Sequence, residues 1–218
     1  MSSNETEPGG PDLPSLAADA GEPWTPDCPY FALAEPHGAR LWHTLIKPFL
    51  QGCDFTAVLD LAAGHGRNSV FLQPIADYLT IMDIQAENVE ICRARFGDAP
   101  NVRYIVNNGY DFRPVANESL TLIYCFDAMV HFDSDIVRSY LRDTGRVLQP
   151  TGRGFFHHSN YTGGHNWRSN PHARNFMSKE LFEHYALKEG LRIVRQKIID
   201  WDDIVGHDCL TLLERPVE

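Results

Sequence analysis

The sequence predicts an α/β protein: a doubly wound, mostly parallel sheet with helices on both faces. Three observations carry that expectation. From residue 57 onward, short apolar runs alternate with segments whose apolar residues recur at helical period, the pattern of repeated βαβ units. The first apolar run ends in a bend of small residues, "VLDLAAGHGRNS" (58–69). The last two apolar runs have no helical segment between them, too short a link for a parallel crossover, so they predict an antiparallel hairpin.

The elements follow in order. Residues 1–22 are rich in Gly, Pro, Ser and acids, with few large apolar residues, and read as a disordered tail. The remainder, 23–218, reads as a single domain with an N-terminal helical lid over about 28–51. In that lid Leu41, Trp42, Leu45, Ile46 and Phe49 recur at helical spacing, predicting a helix over 36–51. "AVLDLA" is a buried strand, and Arg67 to about Ala76 a helix starting at the glycines. "YLTIMDI" (78–84), "VRYIV" (102–106), "SLTLIYCF" (119–126) and "RGFFHHSN" (153–160) are further strands. "AENVEICRARF" (86–96) and "DSDIVRSYLRDTGRVL" (133–148) each align apolar residues on one helical face, and "QPTG" breaks the second. "SKELFEHYALKEG" (178–190) carries a Ser178 N-cap and a Gly190 stop. "LRIVRQKIID" and "DCLTLLER" form the closing hairpin.

Composition bounds the function. A chain of 218 residues suits one core. The net charge of −10 argues against nucleic acid as a partner, which needs a basic face. No apolar run approaches the roughly 20 residues of a membrane span, and the N-terminus lacks the basic and apolar regions of a secretory signal. The five cysteines are scattered and show no C-x-x-C spacing. They predict neither a disulfide framework nor a metal site, and a reducing, cytoplasmic setting.

In open α/β sheets ligands bind beyond the carboxyl ends of the strands. Gly64 and Gly66 stand there, letting backbone approach a ligand, at the start of a helix whose free N–H groups point the same way. Asp83 ends the second strand, where a carboxylate can accept two hydrogen bonds from a ribose diol. Together they read as the nucleoside-binding half of a βαβ unit. A dinucleotide fingerprint G-x-G-x-x-G/A misses its third position at Ser69.

"VLDLAAGHGRNS" resembles motif I of the class I, Rossmann-like S-adenosylmethionine-dependent methyltransferases, roughly V-L-D-x-G-x-G-x-G. "RVLQPTGRGFF" resembles that family's turn before the fifth strand, and "FMSKELFEHYALKEGLRIV" its penultimate helix and sixth strand. "HGRNS" also resembles the G-R-N-S of tellurite-resistance-type members. The likeness covers about residues 40–215. It implies a seven-stranded sheet of order 3-2-1-4-5-7-6 with strand 7 antiparallel, S-adenosyl-L-methionine as cofactor, and a cytoplasmic transferase. Asp60 would orient the motif-I loop or reach the methionine amino group. Gly64 and Gly66 would flank the methionine and sugar, Asp83 would hold the ribose, and Ile84 would pack on adenine. Asn108 and Gly109 would read adenine, though an Asn-Gly turn would use the same residues. Phe126 would also line the cofactor site. Ala62 replaces the first motif-I glycine and asks the backbone there to avoid glycine-only angles. Arg67, a cation at a helix start, needs an anion: a cofactor carboxylate or a nearby acid.

Methylation of a hydroxyl benefits from a base. Asp127, His131 and His158 are the candidates past strands four and five; His157 and His158 must face opposite sides. The long polar stretch 160–176 and the lid offer Tyr30, Tyr161, His165, Trp167, Arg168 and Arg174 to a polar, saccharide-like or anionic small-molecule acceptor. The expectation is O-methylation of a small molecule; the alternatives are N-methylation, a nicotinamide-dependent oxidoreductase, and a non-catalytic module that kept the fold.

Overall fold

Seven strands form one sheet: β1 (Ala57–Leu61), β2 (Tyr78–Asp83), β3 (Val102–Val106), β4 (Leu120–Cys125), β5 (Leu148–Ser159), β6 (Arg192–Trp201) and β7 (Ile204–Glu214). The structure, a computed structural model, describes residues 12–163 and 173–217. Strand order is β3-β2-β1-β4-β5-β7-β6. The first five are parallel, and β7 runs antiparallel to both β5 and β6, as the missing crossover helix required.

The period-two alternation of the strands splits the core into two clusters. Leu59, Leu61, Ile123, Cys125 and Phe156 share one face with Ile136 and Tyr140 of α7 (Ser134–Val147) and Phe182 of α8 (Lys179–Lys188). Val58, Ile81, Leu122, Tyr124 and Phe155 share the other with Leu72 of α5 (Ser69–Leu72) and Cys92 of α6 (Ala86–Phe96). Six of six residues in β4 are buried, as a central parallel strand demands. Ser178 caps α8 as expected, its hydroxyl accepting from the Leu181 N–H at 3.1 Å. Among the described residues no helix is long and apolar enough to cross a membrane.

Three local expectations are corrected. Residues 13–21 are not a disordered tail: they form helix α1 (Leu13–Gly21), capped by Asp12, with Leu16 3% and Ala17 2% exposed. Pro14 fits the first helical turn, and the helix buries its small apolar stripe despite the Gly/Pro-rich flank; residues 1–11 lie outside the described ones. Helix α5 spans only Ser69–Leu72, because Pro74 lacks the N–H a longer helix would use. β5 begins at Leu148 rather than after "QPTG"; a register shift and a left-handed Thr151 (φ 66°) absorb those residues as an irregular strand start.

Before β1 come α2 (Pro29–Ala34), a 3-10 turn (Glu35–His37), α3 (Gly38–Leu41), a π turn (Trp42–Ile46) and α4 (Lys47–Phe49). The predicted helix over 36–51 is thus one helical run of changing pitch. It buries Trp42 and Ile46 against the second cluster.

Candidate active site

β1, β2 and β4 end at one edge, and the bend after β1 turns there through positive φ at Ala62 (54°), Gly64 (55°) and Gly66 (77°). Ala62 therefore does not avoid the left-handed region; it enters it, at a cost of about 1–2 kcal/mol for a residue with a Cβ. A Cβ on Gly64 would stand 2.5 Å from the Phe31 ring, and one on Gly109 2.5 Å from Ile84 Cδ1, so bare backbone is required at both. Beyond the bend lies a crevice. Ala62, Gly64, Arg67, Asp83, Ile84, Gly109 and Phe126 line it, and α1, α2 and the link between them roof it with Ala17, Trp24, Tyr30 and Phe31.

Asp83 is 5% exposed. Its Oδ2 accepts from the Gly64 N–H at 2.8 Å and its Oδ1 from the Gln85 N–H at 2.9 Å. Burial raises its pKa, and these backbone bonds pull against the rise. A carboxylate has about four acceptor sites, so capacity remains for a diol. Beside it Asn88, fully buried, donates to the Trp24 carbonyl at 2.9 Å. Asp60 lies behind the crevice lining. Its Oδ2 accepts from Ser69 Oγ at 2.6 Å, tying the bend to α5, which fits the loop-orienting role. Burial, together with the nearby Asp83 charge, pushes its pKa up to about 7 against the Ser69 hydrogen bond.

The crevice is separated from a second cavity by a wall both share: Trp24, Tyr30, Ala34, Arg67 and Asp127. The wall is a polar knot. Arg67 Nη2 donates to Tyr30 Oη and to Asp127 Oδ2, each at 2.9 Å, and Nη1 donates to the Ala34 carbonyl at 3.2 Å. The Tyr30 hydroxyl in turn donates to Asp127 Oδ2. Burial, and then the Asp127 charge, drive the phenol far above its ordinary pKa, so it stays a donor. The anion that Arg67 needed is the nearby acid Asp127.

The second cavity presents polar groups from several elements: His37, Arg40, Thr44, His131, Arg174, Asp200 and Asp202. His131 is 8% exposed, its ring 4.8 Å from that of Trp24 and its Nδ1 3.1 Å from the Ala173 carbonyl. A carbonyl only accepts, so in the neutral ring Nδ1 carries the proton and Nε2 the lone pair.

Several predicted site residues stand elsewhere. His158 lines neither cavity. Strand alternation turns it into the core, stacked 3.9 Å from Phe182 with Nε2 2.9 Å from Thr211 Oγ1, and burial pushes its pKa down to about 3. Tyr161 pairs across a bridge with Met177 and packs on His207, outside both cavities. Asn108 caps a turn, its Oδ1 accepting from the Tyr110 and Asp111 N–H groups at 3.1 and 3.0 Å; the preceding Asn107 lines the crevice instead. Arg174 does line the second cavity, but its guanidinium holds Asp208 at 2.7 Å. His165, Trp167 and Arg168 lie outside the described residues.

The family described as "methyltransferase domain" matches residues 58–152, the span from the first strand to the turn in β5. That stretch of the chain matches a methyltransferase domain, in line with the resemblance of its motifs to S-adenosylmethionine-dependent methyltransferases. Solved structures agree on the fold. An S-adenosylmethionine-dependent methyltransferase from Mesorhizobium loti superposes with TM-score 0.67 at 16% identity, over 82% of this chain and 99% of its own. One from Clostridium acetobutylicum gives 0.67 at 14%, over 86% and 99%. A chain from the complex of the Haloferax volcanii Trm112 methyltransferase activator with a methyltransferase gives 0.65 at 20%, over 87% and 96%. No curated protein sequence matches this one. The nicotinamide alternative falls with this assignment.

The methyltransferase's crevice fits the cofactor's chemistry. Asp83 keeps acceptor capacity that would suit the ribose hydroxyls, and Gly64 and Gly109 keep the floor bare. What sequence reasoning missed is the roof and the far wall. Trp24 was a lone aromatic between prolines. Asn88 sat among ordinary helix residues. Asp200, Trp201 and Asp202 belong to a hairpin whose tip carries no motif.

Proposed function

We propose that this methyltransferase transfers a methyl group to the hydroxyl of a small polar molecule, of saccharide or natural-product type, seated in the second cavity. The observation that carries the reading is the shared wall: one cavity fits the cofactor, and the other, lined by His37, Arg40, His131, Asp200 and Asp202, adjoins it across Tyr30, Arg67 and Asp127. Bound S-adenosylmethionine supplies an electrophilic methyl for in-line displacement. Most of the acceleration then comes from holding acceptor and donor in line, where effective molarities reach about 10⁵–10⁸ M. His131, which lines the second cavity, takes the acceptor's proton as general base. Tyr30 and Arg67, pinned by Asp127, orient groups at the boundary and exclude water from it. The acidic chain makes a nucleic-acid acceptor a poor fit, and five free cysteines are in keeping with a reducing setting such as the cytoplasm.

The test is a screen of cell metabolites with isotopically labelled methyl donor. Label on a carbon-bound oxygen supports the reading, and label on nitrogen replaces it with N-methylation. With the acceptor known, His131→Ala should slow turnover by about 10²–10⁴-fold and leave S-adenosylhomocysteine affinity unchanged. Normal turnover would return His131 to packing.

A further inference from the structure

The wall between the cavities is held from behind. The Asp127 backbone N–H donates to His157 Nδ1 at 3.1 Å. The other ring nitrogen, Nε2, lies 2.9 Å from Asp208 Oδ2. Arg174 grips the same carboxylate, Nε to Oδ1 at 2.8 Å and Nη2 to Oδ2 at 2.7 Å. The His157 and Asp208 side chains are 0% exposed, and neither reaches the crevice or the second cavity.

Each bond has one possible direction. A backbone N–H only donates, so Nδ1 is bare; the ring proton sits on Nε2 and is given to the carboxylate. Burial works against the Asp208 charge, but the hydrogen bonds from His157 and Arg174 outweigh it and bring its pKa down to about 2. The chain of contacts ends on Asp127, which stands at φ 61°, a conformation an L residue keeps only when its surroundings over-determine it. From that position its carboxylate reaches Tyr30 and Arg67.

We propose that His157 and Asp208, anchored by Arg174, are positioning residues: they fix the Asp127 backbone and through it set Tyr30 and Arg67 at the boundary between cofactor and acceptor. A buried ion cluster that served only stability would have no reason to terminate on this one N–H. The relay also begins on the acceptor side, because Arg174 lines the second cavity. The inference needs only the cofactor and stands whether the acceptor is a hydroxyl or an amine.

Two measurements on the full chain decide it. Long-range ¹H–¹⁵N spectra should show His157 protonated at Nε2 and bare at Nδ1; the opposite tautomer overturns the proposal. Calorimetric titration with S-adenosylhomocysteine then compares wild type, His157→Phe, His157→Gln, Tyr30→Phe and the double variant that combines His157→Phe with Tyr30→Phe. Losing one buried hydrogen bond to the wall should weaken binding by about fivefold in His157→Phe. In His157→Gln the amide oxygen accepts and the amide nitrogen donates, which should restore most of the affinity. The double variant should bind no worse than His157→Phe, since both changes act through Asp127. Wild-type affinity in His157→Phe, no rescue by His157→Gln, or additive losses would each overturn it. Should His157→Phe fail to fold, Asp208→Asn carries the same expected loss, and unchanged affinity there is the overturning result.

Discussion

Asp60→Asn should make the stability of this protein depend on pH in a direction the wild type conceals. Burial holds the Asp60 carboxyl at about 7, against an ordinary 3.8, so the folded state binds a proton that the unfolded chain has released. That contribution is complete below the unfolded value and is lost as pH rises through 7. Between pH 5 and pH 8 the loss is about 2–3 kcal/mol, at 1.36 kcal/mol per pH unit. His158 works in the opposite sense. Its folded pKa of about 3 lies below the ordinary 6.5, so its contribution is complete above 6.5 and is lost as pH falls, by about 2 kcal/mol at pH 5. The two slopes nearly cancel in the wild type. Asparagine at position 60 still accepts from Ser69 but cannot titrate, so the His158 slope is unmasked, and relative to wild type the variant should lose the Asp60 contribution, about 2–3 kcal/mol, on going from pH 8 to pH 5. Asp83, also raised by burial, is present in both proteins and drops out of the comparison. Urea unfolding at several pH values across this window, with m-values unchanged, measures the difference. Parallel curves for variant and wild type would refute the reasoning.

Two further substitutions probe the crevice. Ala62→Gly relieves a left-handed φ worth about 1–2 kcal/mol at an unfolded-state cost of about 0.5–1; the net gain should be up to about 1 kcal/mol, read as a Tm rise of about 2–4 °C, and a fall in Tm would contradict the strained bend. Asp83→Ala removes acceptors for the ribose and one partner of the Gly64 N–H; S-adenosylmethionine affinity should fall at least about tenfold while Tm moves little, and unchanged affinity in calorimetry would remove the ribose assignment.

The strands, the hairpin and the bend were legible because each is written in neighbouring residues. Alternation marks β1 to β5, the missing crossover marks the β6–β7 pair, and Ser178 caps its own helix three residues on. Asn108 shows the limit of the same local logic. Its side chain could serve a turn or a ligand, and the N–H groups of Tyr110 and Asp111 were close enough in sequence to win. His157 and His158 show another limit. Alternation said that they diverge, but the partner each one meets, Asp208 or Thr211, stands in a strand 51 and 53 residues later.

The wall itself was out of reach for a related reason. Tyr30 and Asp127 are 97 residues apart, and Tyr30 and Arg67 are 37; each alone reads as an ordinary surface or cap residue. They meet because the segment before β1 is folded back over the sheet edge. Besides its own apolar burial, that segment is fastened by polar ties from the body of the fold: Gln85 to the Gly21 carbonyl, Asn88 to the Trp24 carbonyl, Arg67 to the Ala34 carbonyl, and Arg95 to Glu35. Three of these end on backbone carbonyls, so they place the segment whatever side chains it carries, and the segment is free to choose its side chains for the two cavities. A single hydrogen bond of this kind is worth about 1 kcal/mol, far less than the apolar burial that holds the sheet together.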